Sequence, residues 1–219
     1  MQKLIEGAHR FRSDEFGRYS ELFQRLSTEG QKPHTLFITC ADSRILAELI
    51  TQSQPGDLFV VKNVGNIVPS MGSMGVIDSM SAAIEFAVCD LEVEDIVVCG
   101  HSQCGAMKEL VSEQLLSKSS APETSLRPHL RSWLSVATPV TATLERDYTH
   151  LTDPDALVSA AAQENVLFAV ENLHTYPMVQ KRLANGTLHL HAWYFMIATA
   201  ELFAYDPVQK QFLPLANNP

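Results

Sequence analysis

The chain is 219 residues long, which is enough for one α/β domain with a full core and short for two. Its hydrophobic content of 46% and charged content of 19% are ordinary for a globular protein, while a net charge of −9 argues against a nucleic-acid-binding surface. Charged residues interrupt the region where a secretory signal would lie, and no apolar run approaches the roughly 20 residues of a membrane span. We therefore expect a cytoplasmic protein.

The chain begins with a strongly amphipathic helical arm at 1–29, because apolar side chains recur there at helical spacing. Gly17 is expected to break the arm into two helices, and Gly30 ends it. Such an arm needs an apolar surface to lie on, either on its own domain or on a neighbouring subunit. We predict a single domain over residues 1–219, in which an α/β core at 34–219 follows the arm.

Strands and helices alternate through the core. Runs rich in β-branched and aromatic residues predict buried strands at 35–39, 58–61 and 95–99. Apolar spacing predicts helices at 45–51, 78–90, 105–116, 129–146, 155–174 and from 177 to near 186. A polar loop is expected at 117–128, and edge strands or hairpins are expected at 188–195, 202–205 and 212–213. This order predicts an α/β fold with a mostly parallel β-sheet flanked by helices, an N-terminal helical arm and a C-terminal edge strand or hairpin.

Reactive side chains follow two of the predicted strands. Cys40, Asp42 and Arg44 follow the first strand, and His101 and Cys104 follow the third. Because parallel strands end at the same edge of a sheet, these groups can converge. Two thiolates and an imidazole suit zinc and leave a fourth position open for chemistry, while Arg44 would keep the Asp42 carboxylate ionised. By spacing alone, buried thiols with a solvated histidine, and a helix cap with a surface ion pair, remain alternatives.

The other cysteines and histidines give weaker signals. Cys89 and Cys99 lie in apolar helix and strand patterns, so both are expected to be buried thiols. His189 and His191 share one face of a predicted strand but have no ligand-like spacing to the three candidate ligands. A thiol redox protein is disfavoured, because the chain has no Cys-x-x-Cys motif.

The motifs around the candidate ligands resemble those of the β-class carbonic anhydrases. The likeness rests on Cys-Ala-Asp-Ser-Arg at 40–44 and Gly-His-Ser-Gln-Cys-Gly at 100–105. It continues through the segments 54–60, 63–69, 85–88, 164–166, 176–177 and 190–193. The resemblance therefore covers nearly the whole chain, which is similar in particular to the bacterial enzymes associated with cyanate metabolism.

The resemblance implies a zinc enzyme that converts carbon dioxide reversibly into bicarbonate and a proton, by attack of a zinc-bound hydroxide. It assigns one zinc ion per chain to Cys40, His101 and Cys104. It also makes Asp42 and Arg44 the catalytic pair.

The resemblance extends to substrate binding and assembly. It implies that Gln54 and the backbone N–H of Gly105 bind the substrate. Members of the family form dimers or multiples of dimers in which N-terminal helices cross the partner subunit, so the arm at 1–29 is expected to do the same. A nucleic-acid partner or a membrane partner is not implied.

Several positions depart from the family pattern. Lys62 stands where an arginine is usual, which is expected to weaken a loop hydrogen-bond network, and Ala192 and Phe195 replace the usual Gly and Tyr. One subgroup binds regulatory bicarbonate through a Trp, a Gly and a Tyr, whose positions here hold Phe37, Thr39 and Phe195. We therefore predict that this chain has no such allosteric site.

Two other functions remain open at this point. The same fold could hydrolyse a related heterocumulene such as carbonyl sulfide or carbon disulfide, in which case pocket access rather than zinc chemistry would differ. Alternatively, zinc could be a structural ion in a non-catalytic oligomer, with Asp42 closing the metal shell. Direct substrate assays discriminate the first alternative, and bound zinc without hydration at alkaline pH would indicate the second.

Overall fold

A computed structural model shows the fold of residues 1–75, 78–117 and 127–215, so the predicted loop at 117–128 lies almost entirely outside the described residues. The strands are β1 (Thr35–Cys40), β2 (Leu58–Asn63), β3 (Asp95–His101), β4 (His189–Met196), β5 (Glu201–Asp206) and β6 (Gln211–Pro214). They form one six-stranded sheet in the order β2-β1-β3-β4-β5-β6. The first four strands of that order are parallel, and β5 and β6 add to them as an antiparallel edge hairpin. The predicted α/β architecture is confirmed.

Helices connect and cover the strands. They are α1 (Gln2–Arg10), α2 (Ser20–Glu29), α3 (Ala47–Thr51), α4 (Ser79–Glu85), α5 (Gly105–Ser117), α6 (Pro128–Leu134), α7 (Thr138–Asp147), α8 (Pro154–Leu173) and α9 (Pro177–Ala184). The sequence pattern predicted one helix at 129–146, but a 3₁₀ turn at Ser135–Ala137 divides it. The division has a local cause, because Pro139 lies in the first turn of α7 and cannot continue a preceding helix.

The sheet is buried on both faces, as expected for parallel strands connected by helices. Every residue of β1 is buried, and alternate side chains point to opposite faces. Leu36 and Ile38 join a core formed with α4, α8 and α9, whereas Phe37 packs with Cys99 and Phe195 on the other face. The alternation fixes which face of the sheet each β1 side chain occupies.

The N-terminal arm divides near Gly17, as predicted. A π-helical turn at Phe11–Glu15 and a 3₁₀ turn at Phe16–Arg18 separate α1 from α2. Neither helix has a buried residue, and Leu4 is 73% exposed. The apolar face of the arm therefore lacks a full partner surface within the described part of its own chain.

One of the two predictions of a buried thiol is wrong. Cys99 is fully buried within β3, as expected, but Cys89 is exposed. The helix predicted at 78–90 is α4 followed by a π-helical turn at Phe86–Asp90, which buries Ala87 and Val88. Cys89 lies on the other side of this turn, which is exposed to solvent together with Glu85 and Phe86. In the described residues, none of the helices combines the length and apolar character needed to cross a bilayer.

Candidate active site

The three candidate ligands lie together at the carboxyl edge of the sheet. Cys40 is the last residue of β1, His101 is the last residue of β3, and Cys104 immediately precedes α5. Their ligand atoms lie within 4.8 Å of one another, and all three residues are buried. Within the ranges that the structure describes, no other three His, Cys, Asp or Glu side chains are grouped in this way. Parallel pairing of β1 and β3 brings these distant residues together.

The imidazole of His101 is oriented for metal binding. Its Nδ1 lies 2.8 Å from the carbonyl oxygen of Ser102, and because a carbonyl can only accept, Nδ1 carries the proton. The lone pair on Nε2 is therefore available, and this buried atom has no hydrogen-bond partner. A buried nitrogen acceptor beside two thiols matches the donor set that zinc prefers.

Hydrogen bonds favour the thiolate form of Cys40. Its pKa is lowered, chiefly by a hydrogen bond from the Cys104 thiol and further by the backbone N–H groups of Gly65 and Asp42. The pKa of Cys104 is raised in turn, because its thiol shares that hydrogen bond and because it is buried. A cation held by both sulfurs displaces the shared proton, since the thiolate is the form that ligates a metal.

Asp42 and Arg44 form a bidentate ion pair beside the three ligands. Arg44 donates from Nε to Oδ1 at 2.9 Å and from Nη2 to Oδ2 at 2.8 Å, and its backbone N–H also donates to Oδ1. These bonds hold the pKa of the Asp42 carboxyl well below its usual range. Its Oδ2 lies 4.0 Å from His101 Nε2, next to the position that a metal would take. Asp42 is not a helix cap, because Leu46 precedes the first residue of α3.

Gln103 holds the far side of Arg44, although the sequence did not single it out. Arg44 donates from Nη2 to the Gln103 carbonyl oxygen at 3.2 Å and from Nη1 to Gln103 Oε1 at 3.4 Å. Gln103 has a φ of 56°, a left-handed conformation that is costly for a residue other than glycine. Its one sequence signal is its place between His101 and Cys104.

Gly105 and Lys62 lie at the same edge of the sheet. Gly105 begins α5, and no atom lies within 4 Å of the position that a Cβ would take, so the space beside it is open. Lys62 donates from Nζ to the carbonyl oxygens of Asp42 at 3.2 Å and Ile45 at 2.6 Å. The lysine at this position therefore still ties the segment that carries Asp42 to β2.

Gln54 lies at the opposite edge of the sheet. Its backbone N–H donates to Asp57 Oδ2 at 2.7 Å in the turn that leads into β2. Leu58 begins β2 and pairs with Thr35 at the start of β1, whereas Cys40 ends β1. At a rise of about 3.3 Å per residue, the strand separates this turn from Cys40 by roughly 15 Å. The fold therefore does not bring Gln54 to the three candidate ligands of its own chain.

His189 and His191 also lie away from the three ligands. They stand at the start of β4, where His191 Nε2 is 2.7 Å from Asp95 Oδ1 and His189 Nδ1 is 3.8 Å from the same oxygen. Asp95 begins β3, so the two histidines face the amino ends of the parallel strands.

Comparison with known proteins indicates a family for this chain. The family model described as "Carbonic anhydrase" matches residues 35–202. A carbonic anhydrase from Synechocystis sp. is 42% identical over 213 residues, which cover 97% of this chain and 74% of that relative.

Solved structures agree with the sequence relatives. The β-carbonic anhydrase CcaA is 41% identical to this chain, with a TM-score of 0.89 over 98% of this chain and 99% of that one. A chain from a study of two tetrameric β-carbonic anhydrases of Sordaria macrospora is 28% identical, with a TM-score of 0.79 over 93% of this chain and 95% of its own. From the matched family model, the extent of these identities and the shared fold, we conclude that this chain belongs to the carbonic anhydrase family, in its β class.

Proposed function

We propose that this chain catalyses the reversible hydration of carbon dioxide to bicarbonate and a proton, with one zinc ion held by Cys40, His101 and Cys104. The observation that carries the proposal is the buried, unpartnered Nε2 of His101 beside two thiols. Carbon dioxide hydration is the reaction of the family to which the chain belongs. Three protein ligands leave a fourth position for chemistry, as catalytic zinc sites do.

Asp42 and Arg44 are proposed as the catalytic pair. Cys40, His101 and Cys104 would hold the zinc ion, which would supply Lewis-acid activation of water at neutral pH. Asp42 would accept a hydrogen bond from the attacking water and so orient it towards the carbon of the substrate. Arg44 keeps the Asp42 carboxylate ionised and engages both of its oxygens, which holds it beside the metal position. This geometry argues against the structural-zinc alternative, in which Asp42 closes the metal shell.

Substrate binding is assigned to Gly105 and Gln54. The N–H of Gly105 lies at the beginning of a 13-residue helix, where unpaired backbone donors and the helix dipole favour an anion such as bicarbonate. Gln54 is too far from Cys40 within one chain, so we infer that it acts on the site of a second copy. The assignment of Gln54 therefore depends on assembly.

We propose that the protein works as a homo-oligomer, a dimer or a multiple of dimers. The N-terminal arm supports this proposal, because it exposes apolar side chains that need a partner surface: Leu4, Ile5, Phe11 and Phe23. The relative from Sordaria macrospora is described as tetrameric. Light scattering on purified protein tests the proposal, and a monomer at micromolar concentration would contradict it.

We infer a cytoplasmic protein whose chain acts as one domain over residues 1–219, with the arm at 1–29 and the core at 34–219. The four cysteines support a reducing compartment, because none is paired in a disulfide. The candidate site supports the single domain, since its groups come from β1, β3 and the start of α5 within one sheet. Fractionation of cells that express the protein tests the compartment, and limited proteolysis tests the domain.

Stopped-flow measurement of carbon dioxide hydration tests the proposed activity, at neutral and at alkaline pH, with zinc content determined on the same sample. We expect fast hydration with about one zinc per chain. Bound zinc without hydration at either pH would contradict the proposal, and hydrolysis of carbonyl sulfide by the same sample would then favour that substrate.

A ligand variant tests the zinc assignment separately. Cys104→Ser should lose both zinc and most of the activity, because a hydroxyl is a poor zinc ligand beside a thiolate and an imidazole. Cys89→Ser is the matched control, since it makes the same chemical change at an exposed cysteine and should retain zinc. Equal zinc contents in the two variants would show that Cys104 is not a ligand.

A further inference from the structure

A loop at 63–69 passes from the end of β2 beside the candidate zinc ligands. In this loop, the backbone N–H of Gly65 donates to Cys40 Sγ at 3.4 Å. Groups that hydrogen-bond to a metal ligand orient it and adjust how strongly it donates to the metal. The orientation of the Gly65 N–H therefore affects how Cys40 would bind a metal, although Gly65 itself is not a ligand.

Close packing against α5 fixes the backbone at Gly65. Its φ is +83°, a conformation that favours glycine, and a Cβ on this residue would lie 2.9 Å from Ala106 Cβ and 3.2 Å from Met107 Cε. Ala106 belongs to the first turn of α5, directly after the ligand Cys104. The loop thus packs against α5, which follows Cys104, and at the same residue donates a hydrogen bond to Cys40.

Trp133 on α6 holds the opposite side of the same peptide group. Its indole Nε1 donates to the carbonyl oxygen of Val64 at 2.7 Å, and that carbonyl shares one peptide plane with the N–H of Gly65. In a trans peptide the C=O and N–H point in opposite directions, so fixing the carbonyl also aims the N–H. The indole, the peptide group and the Cys40 sulfur therefore form one continuous hydrogen-bonded chain. Accepting the indole N–H also polarises the peptide, which strengthens its own donation.

Two asparagines on α8 hold the same loop at neighbouring points. Asn165 is 1% exposed and donates from Nδ2 to the Gly65 carbonyl oxygen at 2.8 Å. Asn172, seven residues later on the same helix, donates from Nδ2 to the Val68 carbonyl oxygen, also at 2.8 Å. Asn165 thus hydrogen-bonds to Gly65, the residue whose N–H donates to Cys40. Asn172 makes an equivalent bond to Val68, whose own backbone N–H does not donate to Cys40.

We propose that Trp133 is a positioning residue for the zinc ligand Cys40, which it orients through the Val64–Gly65 peptide, and that Asn165 secures the next peptide. This inference rests on the proposed zinc site and extends it to residues that do not touch the metal. Trp133 is suited to the task because its ring is partly buried against the same apolar cluster as Cys40 and Cys104. Its indole N–H is the part of the side chain that the proposal requires.

The test compares Trp133→Phe with Trp193→Phe. Both variants exchange one of the two tryptophans for another aromatic ring, but Trp193 lies on β4 with its ring against Phe37, at 6.1 Å between centroids. Zinc affinity is measured by competition with a chelator. The cobalt-substituted proteins are also compared by their thiolate-to-cobalt charge-transfer band, which reports donation by the cysteine sulfurs and does not depend on activity.

We expect Trp133→Phe to weaken zinc binding by about 10-fold or more and to shift the charge-transfer band, because loss of an outer-shell partner has that effect on metal sites. Trp193→Phe should match the unsubstituted protein in both measurements. Equal zinc affinities and equal cobalt spectra in the two variants would overturn the proposal. An unsubstituted protein that binds no zinc, or that binds zinc without hydrating carbon dioxide, would instead contradict the proposed function, so the two failures are distinguishable.

A second pair keeps the test decisive if Trp133→Phe fails to fold. Asn165→Leu and Asn172→Leu each remove one buried hydrogen bond between α8 and the loop at 63–69, so they should destabilise the fold similarly. A greater loss of zinc affinity in Asn165→Leu supports the proposal. Equal losses in the two variants would show that the loop contributes only stability, which overturns it.

Discussion

Asp42 accepts three hydrogen bonds from Arg44, and these bonds fix the orientation of its carboxylate. The ion pair lowers the pKa of Asp42, so the carboxylate is an acceptor throughout the physiological pH range. Gln103 fixes the other side of Arg44 through its carbonyl oxygen and its Oε1. The orientation of Asp42 is thus set by contacts on both sides of a guanidinium group.

Asp42→Asn tests the role of that acceptor. The variant keeps the size of the side chain but loses its charge, so we expect hydration to fall by about 100-fold or more while zinc content stays unchanged. Stopped-flow rates and metal analysis on one sample measure both effects. Full activity in this variant would rule out the proposed role of Asp42, and loss of zinc would mean that Asp42 acts through the metal shell.

The four cysteines differ in reactivity for reasons that are also local. Burial raises the pKa of Cys99 to about 12, so this thiol stays protonated and is a poor nucleophile at pH 8. Cys89 is exposed, and Cys40 and Cys104 are the proposed zinc ligands. We expect iodoacetamide to modify Cys89 alone in the zinc-loaded protein, as measured by peptide mass spectrometry. Modification of Cys99 before unfolding would contradict this prediction.

At the scale of elements, the site depends on how the loop at 63–69 meets α5. Asn63 binds both the backbone N–H and the carbonyl oxygen of Ile67, which closes the loop on itself. Gly65 then approaches Ala106 so closely that a side chain at this position would collide with the helix. The parallel strands bring the candidate ligands to one edge of the sheet, and this loop donates a hydrogen bond to Cys40 from the backbone N–H of Gly65.

Gly65→Ala tests how much the close contact between Gly65 and Ala106 limits the residue at this position, as a loss of unfolding free energy. The variant should lose about 2–4 kcal/mol of unfolding free energy, from the left-handed backbone conformation together with overpacking against Ala106. Gly186→Ala is the control, because Gly186 also has a positive φ, of +68°, but no atom lies within 4 Å of the added Cβ. Urea unfolding at one protein concentration compares the two variants. Equal losses would mean that the approach to Ala106 is not tight in solution.

At the scale of the whole molecule, one proposed substrate-binding residue lies at the wrong edge of its own sheet. Gln54 precedes β2, whereas Cys40 ends the neighbouring β1. The N-terminal arm also lacks a full apolar partner within the described part of its chain. Both features are explained if a second copy completes the site and covers the arm.

Mixed oligomers test whether Gln54 acts between chains. Asp42→Ala and Gln54→Ala proteins are unfolded together, refolded with zinc and assayed. If Gln54 acts on the partner, a Gln54→Ala chain paired with an Asp42→Ala chain has an intact site, and roughly a quarter of the sites in randomly assorted dimers are restored. The mixture should then exceed the mean activity of the two separately refolded parents. Activity equal to that mean would refute action between subunits.

Patterns within short segments were enough to predict the order of strands and helices, the division of the arm near Gly17 and the convergence of the cysteine and histidine side chains. These features follow from hydrophobic periodicity and from the shared edge of parallel strands, which local sequence determines. Apolar surroundings alone misplaced Cys89, because it shares a helix face with the exposed Glu85 and Phe86 and not with the buried Ala87 and Val88.

The amino-acid sequence by itself determined the candidate ligands, the Asp42–Arg44 pair and the strands that carry them, because each motif and each strand pattern is encoded within a few neighbouring residues. Only the tertiary structure decided that Gln103 accepts hydrogen bonds from Arg44 and that Gln54 lies at the end of the sheet opposite Cys40. It also revealed the bond from Trp133 to Val64, which joins residues 69 positions apart. Contacts of this kind depend on how complete elements pack, so the types of residue in any one segment do not specify them.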